Sequence, residues 1–88
     1  MLQPEYSNSF KRDYKKIKKQ NKDICLMKEI MEDLVNGKPL PPKNRDHALA
    51  GNYAGYRSCH IQPDWVLIYK IMGNMIVFSR TGSHSKVY

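Results

Sequence analysis

An α+β fold, with two N-terminal helices packed on a small antiparallel sheet, is what this sequence predicts, on three observations. Apolar residues recur at helical spacing up to about residue 35. From residue 56 onward three runs rich in β-branched and aromatic residues are separated by tight-turn signals. With 88 residues, 41% of them hydrophobic, the chain fills one modest core and has nothing left for a second. A single domain over residues 1–88 follows.

The elements follow in order. Residues 2–6 suit a short edge strand, because Pro4 removes a ladder donor and restricts the segment to an edge. Ser7 and Ser9 are both N-cap candidates for a helix with Phe10, Tyr14 and Ile17 on one stripe and a lysine-rich opposite face. Asn21 or Asp23 caps a second helix that turns Ile24, Met27, Ile30, Met31, Leu34 and Val35 inward, and Asn36-Gly37 supplies its left-handed stop. Residues 37–55 are rich in Pro, Gly and Asn and show no period, so they predict a long loop, and long ordered loops are often functional. Strands are expected over 56–61, 65–72 and 75–81, joined by a Gln62-Pro63-Asp64 turn and a Gly73-Asn74 hairpin loop.

Charge narrows the partner. Fifteen Lys+Arg against eight Asp+Glu give +7. Residues 1–33 hold eight bases and six acids, whereas residues 34–88 hold seven bases and only Asp46 and Asp64. Such a surface attracts polyanions through counterion release, which makes nucleic acid the leading partner class. Cys25 and Cys59 form no CxxC pair and fit reduced thiols. No leader is recognisable, and the longest apolar run, 65–69, is far short of the roughly 20 residues that span a bilayer. The expectation is a cytoplasmic protein with no membrane association.

The two turns set a register. If Met72 pairs with Met75, Leu67 faces Arg80; if Gln62 pairs with Trp65, His60 faces Leu67. His60, Leu67 and Arg80 then share an open face with Trp65 and Tyr69 nearby, while Cys59, Ile61, Val66, Ile68 and Val77 face the helices. A slip of one residue in either pairing would separate His60 from Arg80. His84 lies four residues beyond Arg80, past Gly82, and Asp64 marks the tip of the first hairpin.

Metal-free RNA cleavage needs a base for the 2′-OH, an acid for the leaving 5′-oxygen and a cation for the phosphorane. Histidine suits both proton roles, with a free pKa near 6.5, and arginine suits the third through its fork of donors. His47, His60 and His84 all fall in the basic half. The candidate catalytic set is therefore His47, His60, Asp64, His84 and Arg80; residue types leave open which histidine is acid and which is base, the working assignment being the His60/Asp64 pair as base and His84 as acid. Lys43, Arg45 and Arg57 are candidates for holding substrate, and Trp65 and Tyr88 for stacking a base. Zinc is the rival chemistry, but no HxxxH or HxH spacing anchors it, so neither metal nor cofactor is expected. A non-catalytic RNA- or ribosome-binding module is the alternative function.

From Arg45 to Tyr88 the residues resemble the YafQ branch of the RelE/ParE-type toxins. The matching pieces are Asp46-His47 with Leu49 and Gly51, Gly55-Tyr56-Arg57 with His60, and Pro63-Asp64-Trp65 leading into Leu67-Ile68-Tyr69-Lys70. After them come Arg80-Thr81-Gly82-Ser83-His84 and the terminal aromatic Tyr88. The resemblance implies a RelE-like fold akin to microbial ribonucleases, cleavage of mRNA on the ribosome, and an acidic cognate antitoxin. It matches the catalytic roles to His47, His60, Asp64 and His84, with Arg80 at the phosphate and Tyr88 as a stacking or ordering aromatic. Two departures stand out: Ala48, where the family commonly has proline, and Ser58, where it often has an acid.

Overall fold

The structure, a computed structural model, describes residues 1–88. Strand β1 (Gln3–Tyr6) leads into helices α1 (Asn8–Lys19) and α2 (Ile24–Val35). Strands β2 (His47–Ala48), β3 (Arg57–Gln62), β4 (Trp65–Met72) and β5 (Met75–Ser83) follow, and a last turn of helix, α3 (His84–Val87), ends the fold. The sheet order is β1-β5-β4-β3-β2; β1 runs parallel to β5 and every other pair is antiparallel. Pro4 sits where an edge strand tolerates it.

Local chemistry explains the helix ends. Ser7 is the N-cap of α1: its Oγ accepts the Phe10 N–H at 3.0 Å and donates to the Ser79 carbonyl at 2.8 Å, tying helix to sheet. Lys16, Lys18 and Lys19 in the last turn complement the negative end of the helix dipole. Asp23 caps α2 by accepting the Leu26 N–H. The chain leaves α2 through Asn36 and Gly37, the latter at φ +72°, where a side chain would be strained.

Helices α1 and α2 cover one face of the sheet. Phe10, Ile17, Met27, Ile30 and Leu34 pack there on Cys59, Ile61, Trp65, Leu67, Tyr69, Ile76 and Phe78. The other face, expected to be open, is covered too. Val87 of α3 closes on Val66 and Ile68, with Leu49, Tyr53 and Tyr56 around them. The aperiodic stretch supplies this cover: it holds β2 and two short 3-10 turns, Pro42–Asn44 and Gly51–Tyr53. It folds back because Val66 and Ile68 would otherwise face water.

Both expected registers hold at the turns and fail beyond them. Met72 pairs with Met75 and Tyr69 with Phe78, but then Ile68 pairs with Arg80 and Leu67 with Thr81. Likewise Gln62 pairs with Trp65, but His60 pairs with Val66 and Cys59 with Leu67. Each ladder absorbs one extra residue, Ser79 in the first and Ile61 in the second, as a bulge does. The two slips cancel. His60 and Arg80 still share a face, but its other members are Val66 and Ile68, whereas Trp65, Leu67 and Tyr69 turn into the helix-covered core.

Candidate active site

One cleft of about 610 Å³ is lined by Arg45, Asp46, His47, His60 and His84. All three histidines of the chain converge on it from three different elements. His47 stands on the two-residue edge strand β2, in register with Ser58 of β3. His60 stands near the end of β3, and His84 opens α3. The His60 and His84 ring centroids are 6.4 Å apart.

Two of the imidazoles are oriented by backbone carbonyls. His47 Nδ1 lies 2.6 Å from the Arg45 carbonyl oxygen, and His60 Nδ1 lies 3.1 Å from that of Pro63. A carbonyl oxygen only accepts, so in each ring Nδ1 carries the hydrogen and Nε2 keeps the lone pair that takes a proton. Arg45 presents its carbonyl from a left-handed conformation, φ +51°, an unusual backbone state for a residue with a side chain. His84 is held differently. Its backbone N–H donates to the Asp64 carbonyl at 3.3 Å, and its ring packs 4.5 Å from that of Tyr88. The Pro63-Asp64 turn therefore supplies one carbonyl to His60 and the next to the start of α3.

Gly82 lets α3 close. It sits at φ +150°, and a Cβ there would meet Val87 Cγ1 at 3.4 Å. Tyr53 donates its hydroxyl to the Val87 carbonyl at 2.9 Å and packs edge-on against Tyr88. These contacts fix the short helix that bears His84.

Beneath the cleft runs a hydrogen-bonded brace. Asp46 Oδ1 accepts from the Tyr69 hydroxyl at 2.7 Å and from Arg57 Nε at 3.3 Å. Burial, then the hydrogen bond to Asp46, pushes the Tyr69 phenol far above its ordinary value, so it stays a donor. Tyr69 first, then Asp46, raises Arg57, against the opposing effect of burial. Asn44 Nδ2 donates to the His60 carbonyl at 2.8 Å.

The structure thus brings together His47, His60 and His84, with Asp64 bordering them through its main chain. The His60/Asp64 side-chain pair expected from the sequence is not formed: His60 Nδ1 is taken by the Pro63 carbonyl, and the Asp64 carboxylate is exposed at the turn. Arg80 shares the sheet face but not the cleft. Its guanidinium forks onto Asp13 of α1, Nε at 2.7 Å and Nη2 at 3.3 Å, and that carboxylate also accepts the Thr81 N–H. Asp13 raises the Arg80 pKa against the opposing effect of burial. The arginine that lines the histidine cleft is Arg45.

Trp65 corrects a second expectation. It is 1% exposed and donates its indole N–H to Thr81 Oγ1, so no base can stack on it. The Ile61 bulge is the cause, since it turns Trp65 and His60 to opposite faces. Tyr88 is exposed beside His84 and can stack. Lys43 flanks the neighbouring groove with Arg45 and His60, while Arg57 is engaged by the brace. Asn44 was not anticipated from the sequence, and Tyr69, expected near the open face, is instead a core residue whose hydroxyl holds Asp46. Asn44 follows a Pro-Pro-Lys run that reads only as loop, and nothing in the residue type of Tyr69 names Asp46 as its partner. Burial pushes the Cys59 thiol up to about 12, so it is an inert core residue.

Comparison with known proteins places the sequence and the fold in a family. A family model for the YafQ bacterial toxin of type II toxin-antitoxin systems matches residues 2–88. The mRNA interferase toxin YafQ of Escherichia coli (strain K12) is 41% identical over 85 residues, covering 96% of this chain and 92% of that protein. A copper-bound mutant toxin from Helicobacter pylori superposes with a TM-score of 0.96 at 34% identity, covering 100% of both chains. The toxin in the E. coli DinJ-YafQ complex superposes with a TM-score of 0.93 at 39% identity, covering 100% of this chain and 99% of that one. With a sequence and a fold that agree along nearly its whole length, the chain belongs to the YafQ family of type II toxins.

Proposed function

We propose that this chain is an endoribonuclease that cuts mRNA on the ribosome by histidine acid–base catalysis, without a metal, and that an acidic antitoxin neutralises it. The observation that carries the reading is the convergence of three imidazoles and Arg45 in one cleft, two of the rings having Nδ1 tied to carbonyls. A +7 chain supplies the attraction to RNA. The E. coli relative is named an mRNA interferase, and its complex with DinJ has been solved. Ribosomes place this activity in the cytoplasm.

His60 Nε2 takes the proton from the 2′-OH. The 2′-oxygen attacks phosphorus, the bond from phosphorus to the 5′-oxygen breaks, and His84 donates a proton to that oxygen. The products are a 2′,3′-cyclic phosphate and a 5′-hydroxyl. Arg45 faces the charge that gathers on the phosphoryl oxygens, with His47 as a second base or donor beside it. Asp64 stands in the turn beside His60 with its carboxylate exposed, free to orient an imidazole once RNA is seated, since catalytic hydrogen bonds tighten in the bound complex. Arg80, locked to Asp13 outside the cleft, ties α1 to β5 and leaves the phosphate to Arg45, and Tyr88 stacks a base beside His84. Lys43 extends the basic rim.

Purified protein added to programmed ribosomes tests this, with a chelator present and magnesium then restored in excess. The expected result is new mRNA fragments beginning with a 5′-hydroxyl. Stable ribosome binding without fragments would make the chain a binding module instead, and activity recovered only with added zinc or copper would overturn the metal-free reading.

A further inference from the structure

We propose that Asp46 is a positioning residue: held from the core by Tyr69 and from the start of β3 by Arg57, it sets the place of His47 opposite His60. The proposal rests on the RNA-cleaving reading and assigns the brace a task within it.

The strand that carries His47 is only two residues long, lies at the edge of the sheet and is exposed. A ladder that short does not hold a side chain to a fraction of an ångström. The fixing comes from the residues just before it. Asn44 is bonded to the His60 carbonyl, Arg45 presents its own carbonyl to the His47 ring, and Asp46 is bonded to Tyr69 and Arg57. The stretch 44–47 is thereby tied both to the strand bearing His60 and to the centre of the sheet.

Tyr69 shows the direction of the support. Its ring is 1% exposed among apolar neighbours, where a phenylalanine would fill nearly the same space. What the hydroxyl adds is one short, charge-assisted bond to Asp46. Arg57 binds the same carboxylate oxygen. Asp46 borders the cleft, yet its partners are both protein groups, so its carboxylate grips the fold and leaves the reacting atoms to the histidines.

Three variants test this: Tyr69→Phe, Asp46→Ala and Asp46→Asn. The measurements are single-turnover cleavage at saturating ribosomes, ribosome affinity, and the imidazole ¹⁵N–¹H signals of free protein near pH 8, above the ordinary histidine range. Loss of the brace is expected to lower the saturating rate by about 10²-fold, as small misplacements do, with affinity unchanged. The His47 Nδ1–H signal is expected to be lost while that of His60 persists. Asp46→Asn keeps an oxygen that accepts from Tyr69 and is expected to recover most of the rate. Tyr69→Phe cutting at the parent rate with its His47 signal intact would overturn the proposal. So would Asp46→Asn as slow as Asp46→Ala with His47 still in place, because the carboxylate charge would then act on the substrate itself. Should the parent cut no RNA, the enzymatic reading fails, while the His47 signal still decides whether the brace positions that ring.

Discussion

Ser58 is an orphan. It is fully buried beside Ile68, in register with His47, and its hydroxyl has no hydrogen-bond partner. A buried hydroxyl left unpaired costs about 1–3 kcal/mol of desolvation. Ser58→Ala should therefore leave the protein as stable or raise its stability by about 1 kcal/mol, read from urea unfolding midpoints; a loss above about 1 kcal/mol would mean that the hydroxyl has a partner. The histidines divide at this scale as well. His47 and His60 have their tautomers set by carbonyls, whereas His84 is placed through its backbone and its contact with Tyr88. Residue types alone marked all three histidines as candidates, because imidazole chemistry is written in the residue. Which carbonyl holds which ring depends on backbone conformation at Arg45 and Pro63, and nothing in those residue names specifies it.

Among the elements, strand β5 has the most exposed weakness. Strand β1 covers its edge only as far as Phe78, and beyond that point the Thr81 N–H would be left to water. Asp13 covers it, accepting Thr81 N–H while holding the Arg80 fork, and so fastens α1 to the end of β5. Hydrogen bonds to a charged group contribute about 1.5–3 kcal/mol each. Asp13→Ala should thus destabilise the fold by about 2–4 kcal/mol, and Asp13→Asn, which retains an acceptor for Thr81, by less; equal losses would show that the Arg80 ion pair carries the whole effect. The helices were legible because period and caps agree, with Ser7 and Asp23 serving as the caps. Both hairpin turns were legible for the same reason. The bulges at Ile61 and Ser79 were not, since neither carries a glycine or other local mark, and the pairing rule from a turn assumes an unbroken ladder. That single omission put Trp65, Leu67 and Tyr69 on the wrong face. The sharing of a face by His60 and Arg80 survived because two slips of one residue restore the parity of the alternation.

At the scale of the whole molecule, the sheet is a platform whose two faces do different work. One face packs against α1 and α2 and supplies most of the buried apolar surface. The other carries a thin cover of α3 and the 49–56 segment, at the end of which the histidine cleft opens. No helix is long and apolar enough to cross a membrane. The net charge and the clustering of histidines in the basic half point to RNA from the residues alone. The cover over the second face was not legible, because a stretch without period, 37–55, says nothing of where it folds back.

Proton transfer in that cleft is the central chemical step, and His84→Gln tests it most directly. Glutamine keeps a polar side chain of similar length but transfers no proton near neutral pH. The decisive measurement is the single-turnover rate of mRNA cleavage at saturating ribosome concentration, with Lys16→Gln on the exposed face of α1 measured alongside. Acid–base steps contribute about 10²–10⁴-fold, whereas losing one phosphate contact weakens binding and its salt dependence. The predicted result is a fall of at least about 10²-fold for His84→Gln with ribosome affinity retained, and for Lys16→Gln a small loss of affinity with the saturating rate intact. A His84→Gln protein that cuts as fast as the parent at saturation would contradict the assignment of His84 as the acid.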